Sequence, residues 1–182
     1  EKGMENPARN EIIVRQAEEA ALSGRNILIL TKRVNHAKLL HSHLSHRLAP
    51  HGLTCGMAIG EMKQADREKS YSASVIVATT QLIATGFNEP RLDTLIMATP
   101  IAGNTLLQAI GRIRRLHDNK KPPFVLDLVD TRYEGAVISA KSRFSVYLNN
   151  EWSVKGYELF DKEYLCSPRV ASKISQMNQK RL

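Results

Sequence analysis

Residues Leu106 to Arg115 read Leu-Leu-Gln-Ala-Ile-Gly-Arg-Ile-Arg-Arg, and Gln108, Gly111, Arg112 and Arg115 make a Q-x-x-G-R-x-x-R pattern within them. On a helix of about 3.6 residues per turn, Gln108, Gly111 or Arg112, and Arg115 fall along one face. Two guanidiniums beside a glycine that permits close approach suit a polyphosphate or a carboxylate partner. A second set of residues follows short apolar runs. Thr31 precedes Lys32 and Arg33, Gly60 ends another run, and Thr79-Thr80 leads towards Gly86-Phe87-Asn88-Glu89-Pro90. Hydroxyls, backbone amides near helix starts and cationic side chains are the groups that hold phosphodiester oxygens. Singly, Thr31 and Thr80 read as N-caps of the helices that follow them. Their recurrence, strand after strand on a chain of net charge +8, favours a nucleic-acid track.

The elements that must position these residues can be read from the apolar spacing. Ala8 to Leu22 has helical periodicity and stops at Ser23-Gly24. Asn26 to Thr31 is a short apolar run of the kind found in buried parallel strands. Asn35 to Leu48 is helical again, with Ala37, Leu40, Leu44 and Leu48 as its core stripe, and Pro50-His51-Gly52 breaks it. Leu53 to Ile59, Ser74 to Thr80, Asp93 to Ala98 and Phe124 to Val129 read as four further strands. Ala65 to Tyr71 reads as a helix or turn, and Thr105 to Arg115 as the helix carrying the arginines. Strands alternating with helices predict an α/β domain with a mostly parallel sheet, whose ligands gather beyond the carboxyl ends of the strands. Beyond it, Arg132 to Asn149 suits a helix and Val154 to Phe160 an edge strand. The predicted organisation is one domain over 1–160 and a basic, partly helical tail over 161–182.

Composition narrows the classes. The 182 residues suffice for one domain with a real core, and 42% hydrophobic content fits a globular chain. Aromatics at 5% make base stacking an unsuitable main device. The pI near 9.7 points to a polyanionic partner. Cys55 and Cys166 stand apart, without C-x-x-C spacing, which suggests a reducing, intracellular setting (cytoplasm, or sites of DNA replication or transcription) and no structural zinc. No apolar run approaches the roughly 20 residues of a bilayer span, and no signal peptide opens the chain, so no membrane partner is expected. A first residue of Glu fits an excised domain.

From Asn26 to Asp130 the chain resembles the second, C-terminal RecA-like domain of a superfamily 2 helicase. Asn26 to Asn35 is similar to motif IV, with Thr31 at its backbone-contacting threonine. Val75 to Pro90 is similar to motif V, with Thr80 at the phosphate-contacting threonine and Gly86 at its glycine. Leu106 to Arg115 resembles motif VI, with Gln108, Gly111, Arg112 and Arg115 at the matching places. The resemblance implies that Arg112 and Arg115 are catalytic arginine fingers on ATP, and that Gln108, Gly111, Gly86 and Asn88 border the nucleotide. It also implies that Thr31, Lys32, Arg33, Gly60 and Thr80 face nucleic acid. Two positions depart from the pattern: Asn88 stands where motif V usually has an acid, and Gln81 follows Thr80 where many members have Asp. Both argue against the DEAD-box branch. The segment from Arg132 to Phe160, with Arg143, Tyr147 and Gly156-Tyr157-Glu158, resembles phage UvsW-type and large-DNA-virus DNA helicases.

The sequence has no G-x-x-x-x-G-K-[ST] phosphate loop and no Asp-Glu-x-His or Asp-Glu-Ala-Asp box. By the resemblance, these belong to an N-terminal RecA-like domain, the partner that would hold Mg2+ and complete the ATP site. This chain alone is then not expected to hydrolyse ATP. His36, His41, His43 and His46 crowd one segment, but at about 100° per residue His41 and His46 diverge, and His36 and His43 lie about 10 Å apart. They read as solvated residues, and no metal site is expected. Arg114, His117, Lys120 and Lys121 read equally as a solvated loop or a phosphate contact, and Trp152 as a buried anchor. Asp127 and Asp130 pair only superficially. Three readings remain: the C-terminal motor half of an ATP-dependent DNA helicase or translocase, with an RNA helicase half as its variant; a non-catalytic nucleic-acid-binding module on the same fold; or a complete nucleotide-binding enzyme, disfavoured without a Walker lysine.

Overall fold

Five short apolar runs pair side by side, and the three at the centre of the sheet are buried on both faces, as a parallel sheet requires. In the computed structural model, which describes residues 6–84 and 87–180, they are β1 (Ile27–Thr31), β2 (Cys55–Ala58), β3 (Val75–Thr79), β4 (Thr94–Met97) and β5 (Phe124–Asp127). The order across the sheet is β2-β3-β1-β4-β5, and every pairing is parallel. All five predicted strands are present, each within a few residues of its sequence bounds. The register sets Thr31 opposite Thr79, Leu30 opposite Met97 and Met97 opposite Asp127, so the strands end nearly level.

The connecting helices of this unit are α1 (Pro7–Leu22), α2 (Val34–Leu48), α3 (Gln64–Ser70), α4 (Gln81–Ala84) and α5 (Gly103–Ile113). Asn6 caps α1 by accepting from the Ala8 and Arg9 amides, with Pro7 in the first turn. Alternation along the strands divides the core. Ile27, Ile29, Val75, Val77 and Ile96 pack with Ile13, Val14 and Ala17 of α1 and Ala37, Leu40, Leu44 and Leu48 of α2. The alternate residues Leu28, Leu30, Ile76, Ala78, Leu95 and Met97 are also buried, on the side where α4 and α5 meet β3 and β4.

Two compact units make up the chain, Glu1–Leu128 and Val129–Leu182. In the second, α6 (Glu134–Asn149), α7 (Lys162–Cys166) and α8 (Pro168–Gln179) surround an aromatic cluster. Phe144 of α6 lies 5.2 Å from Phe160 and 5.8 Å from Tyr157, ring centre to ring centre. The edge strand predicted over Val154–Phe160 is absent. Gly156 turns the chain at φ +74°, a single 3-10 turn covers Tyr157–Leu159, and Phe160 folds under Phe144. A side-chain cluster competes here with strand pairing and wins. Residues read as a basic tail form α7 and α8, with Val170 and Met177 buried. Trp152 is half-buried against Tyr147, 6.2 Å between ring centres.

Candidate nucleotide and nucleic-acid interface

Thr31 ends β1 with its side chain fully buried. Its Oγ1 lies 2.9 Å from His36 Nδ1, and His36 Nε2 lies 2.9 Å from Asn10 Oδ1. A carbonyl oxygen only accepts, so Nε2 carries the ring proton and the Thr31 hydroxyl donates to Nδ1. Burial, and then the charge of Arg9, hold the His36 pKa below its ordinary value, which keeps the ring neutral. His36 is therefore not one of four solvated histidines. It is a core side chain, and His41 is half-buried with Nε2 3.2 Å from the Cys55 carbonyl.

The neighbouring strand ends are tied to Thr31 through the main chain. The Thr80 amide donates to the Thr31 carbonyl at 2.9 Å, and the Lys32 amide to Thr99 Oγ1 at 3.1 Å. Lys32, Arg33 and Gly60 are exposed and Thr80 is half-buried. These four lie at the carboxyl edge of the sheet, where the sequence places a phosphodiester-facing surface. The Thr31 hydroxyl is turned inward instead.

The arginine segment folds as its apolar spacing dictates. Leu106, Ala109, Ile110 and Ile113 form the buried stripe of α5, which leaves Gln108 and Gly111 exposed. A Cβ at Gly111 would meet nothing within 4 Å. The helix ends at Ile113, so Arg115 lies in a bend beyond it and not on the helical face predicted from spacing. Arg112 Nη2 donates to the Ile83 carbonyl at 3.0 Å, which anchors the guanidinium beside α4. Arg115 Nη1 donates to Asn88 Oδ1. Gly86, the other motif V residue expected near the nucleotide, lies outside the described residues. The fold thus brings Arg112, Arg115 and Asn88 together by way of α4, α5 and the turn before β4.

Burial first, and then the charge of Arg115, push the Arg112 pKa below its ordinary value. Two neighbouring guanidiniums favour an anion that can answer both. The neutral amide of Asn88 holds Arg115 without cancelling its charge, where an acid would. The residues present therefore fit a polyphosphate. Among the described residues, no group of three or more His, Cys, Asp or Glu could hold a metal ion.

A parallel five-stranded sheet flanked by helices, with paired arginines on α5 and just beyond it, defines the α/β RecA-like fold of helicase C-terminal domains. Residues 9–117 match the helicase conserved C-terminal domain, and the chain belongs to that family. Among curated relatives it is 29% identical over 168 residues to "Putative ATP-dependent RNA helicase L396" of Acanthamoeba polyphaga mimivirus, covering 86% of this chain and 32% of that protein. It is 27% identical over 154 residues to "Probable helicase D10" of Escherichia phage T5, covering 81% and 33%. The chain thus spans about a third of the length of these relatives. Among solved structures, T4 UvsW superposes with a TM-score of 0.64 at 20% identity, covering 82% of this chain and 34% of that one. The helicase MrfA, solved with DNA and AMPPNP, gives 0.61 at 14% identity, over 78% and 20%. No helix among the described residues is long and apolar enough to cross a membrane.

Three contributors escape a reading of the sequence alone. His36 and Asn10 hold the end of β1, and Lys120 holds the loop after α5. A signal for His36 exists: it stands four residues before Leu40 in the same stripe as Leu44 and Leu48. Lys120 has none, since its partners are carbonyl oxygens, which any residue supplies.

Proposed function

We propose that this chain is the second motor domain of an ATP-dependent DNA helicase or translocase. Arg112 and Arg115 act on the phosphates of ATP, and an N-terminal RecA-like domain supplies the phosphate loop, the acidic box and the Mg2+ site. The observation that carries this reading is the convergence of two guanidiniums, Arg112 anchored on the Ile83 carbonyl and Arg115 on Asn88. In phosphoryl transfer, charge spreads over the γ-phosphate oxygens, and a planar, permanently charged fork stabilises it. ATP in Mg2+-bound form supplies that charge; this chain supplies the counter-charge and its orientation. Without a phosphate loop, the chain alone does not turn ATP over.

Lys32, Arg33, Gly60 and Thr80 form one half of the track and grip the sugar-phosphate backbone, so recognition is independent of base sequence. Thr31 serves this edge from within, by fixing the exit of β1 from which Lys32 and Arg33 project. The departures at Gln81 and Asn88 from the DEAD-box pattern, together with the likeness to MrfA, solved bound to DNA, favour DNA. RNA is the second reading, favoured by the name of the mimivirus relative. ATP hydrolysis by the full-length protein, measured alone, with single-stranded DNA and with single-stranded RNA, tests the proposal. Stimulation by DNA is the expected result, stimulation by RNA alone moves the assignment to the second reading, and stimulation by neither overturns both.

A further inference from the structure

Arg115 has left the helix that presents it. α5 ends at Ile113, so no helical ladder fixes the backbone of Arg115. Yet its carbonyl is held. Asn119 adopts φ +58°, a left-handed conformation that asparagine tolerates, and reverses the chain so that Lys120 returns towards Arg115. The Lys120 ammonium donates to the Arg115 carbonyl at 2.7 Å and to the Pro90 carbonyl at 2.9 Å. Arg115 is therefore gripped twice by one turn: through its side chain by Asn88, and through its main chain by the bridge from Pro90.

That turn is a firm support. Phe87 packs edge-on against Tyr71 at 4.9 Å, and Arg91 pairs with Glu89 at 3.3 Å. Arg91 also donates to the Tyr71 and Ala73 carbonyls and to Asn26 Oδ1, which binds the turn to the starts of β1 and β3. Beyond Lys120 the loop is pinned again, by Lys121 on the Ser23 carbonyl and by Arg25 on the Pro122 carbonyl at 3.0 Å. Between these anchors Leu116 is 97% exposed, so the ends of the loop carry its order. Lys120 itself is half-buried, and burial lowers its pKa while Asp93 opposes that shift. A lysine serving only to solvate a loop would leave its ammonium in water; this one exchanges water for two carbonyls, in charge-assisted hydrogen bonds.

We propose that Lys120 is a positioning residue for Arg115, bridging the main chain of the finger to the Asn88–Pro90 turn so that the guanidinium is aimed before nucleotide arrives. The inference rests on the finger reading of Arg115. A preset geometry lowers the barrier without changing how tightly the ground state binds, so its loss falls on kcat and not on KM.

The test is nucleic-acid-stimulated ATP hydrolysis by the full-length protein carrying Lys120→Met, Lys120→Arg or Arg115→Ala, with thermal melting of each. Lys120→Met keeps the apolar stem and removes the ammonium. It should lower kcat by about ten-fold with KM for ATP within about two-fold, as a small misplacement of a reacting group does. Lys120→Arg should restore most of the rate, because it keeps a cationic donor within reach. If Arg115→Ala is impaired while Lys120→Met turns over like the parent, the positioning role is wrong and the finger reading stands. If Arg115→Ala is itself unimpaired, the finger reading fails and takes this inference with it. A Lys120→Met protein with lowered melting temperature and equal losses in kcat and 1/KM, not recovered by Lys120→Arg, assigns the residue to general stability and also overturns the proposal.

Discussion

Thr31 and His36 share a 2.9 Å hydrogen bond in which both side chains are buried, and the far nitrogen of the same ring lies 2.9 Å from Asn10 Oδ1. One neutral imidazole thus joins the end of β1, the first turn of α2 and the start of α1. His36→Ala removes both bonds and leaves a polar lining around a void, so unfolding by urea should show a loss of about 2 kcal/mol. The pH dependence follows from the depressed pKa. The unfolded chain takes up the proton near the ordinary value of about 6.5, whereas the folded ring resists it to lower pH. Stability from this residue is therefore complete above that value and declines as pH falls from it towards the folded pKa. Melting curves between pH 7.5 and 5, runs that bracket the ordinary value of about 6.5, should show this slope reduced in His36→Ala. An identical slope in the variant would contradict the buried, neutral assignment.

Lys32 and Arg33 leave β1 directly after that buried hydrogen bond and expose their side chains. Contacts to phosphates release counterions and carry no base code. Lys32→Ala and Arg33→Ala should each weaken binding of the full-length protein to single strands of any sequence. Each should also reduce the slope of log affinity against log salt by about 1. Titrations at several salt concentrations decide the matter, and an unchanged slope in both variants would remove this edge from the track.

Gly56 in β2 packs against the end of α3. A Cβ at that position would stand 2.2 Å from the Ser70 carbonyl oxygen and 2.9 Å from its carbon, both backbone atoms. Because backbone yields far less than a side-chain tip, Gly56→Ala should cost about 2–3 kcal/mol and lower the denaturant midpoint. Gly52, at φ +68° with no atom within 4 Å of a built Cβ, is a contrast: its substitution strains the backbone and not the packing.

The sheet was legible because its central strands are buried on both faces: Ile27 to Leu30 and Val75 to Ala78 are unbroken apolar runs with little competing signal. The arginine pattern was legible as a helix with an apolar stripe, but its end was not. Nothing in Arg114-Arg115 announces a stop, yet the helix ends at Ile113 and Lys120 of the following loop holds the Arg115 carbonyl. His36 was misread as solvated because a polar residue counts against a core stripe until its partners, Thr31 and Asn10, are known. The aromatic packing of Phe144, Tyr157 and Phe160 overrode an extended reading of Val154–Phe160 for the same reason: the partners lie on another element. Local periodicity carries the scaffold, while long-range polar and aromatic partners set the details of the site.

The central claim is that Arg112 and Arg115 stabilise the charge that develops on a transferred phosphoryl group. Its most direct measure is nucleic-acid-stimulated ATP turnover by the full-length protein with Arg112→Ala or Arg115→Ala, each checked for an unchanged melting temperature. Either variant should lower kcat on the order of 10³-fold, the scale of arginine-finger loss. Undiminished turnover in both variants would contradict the claim.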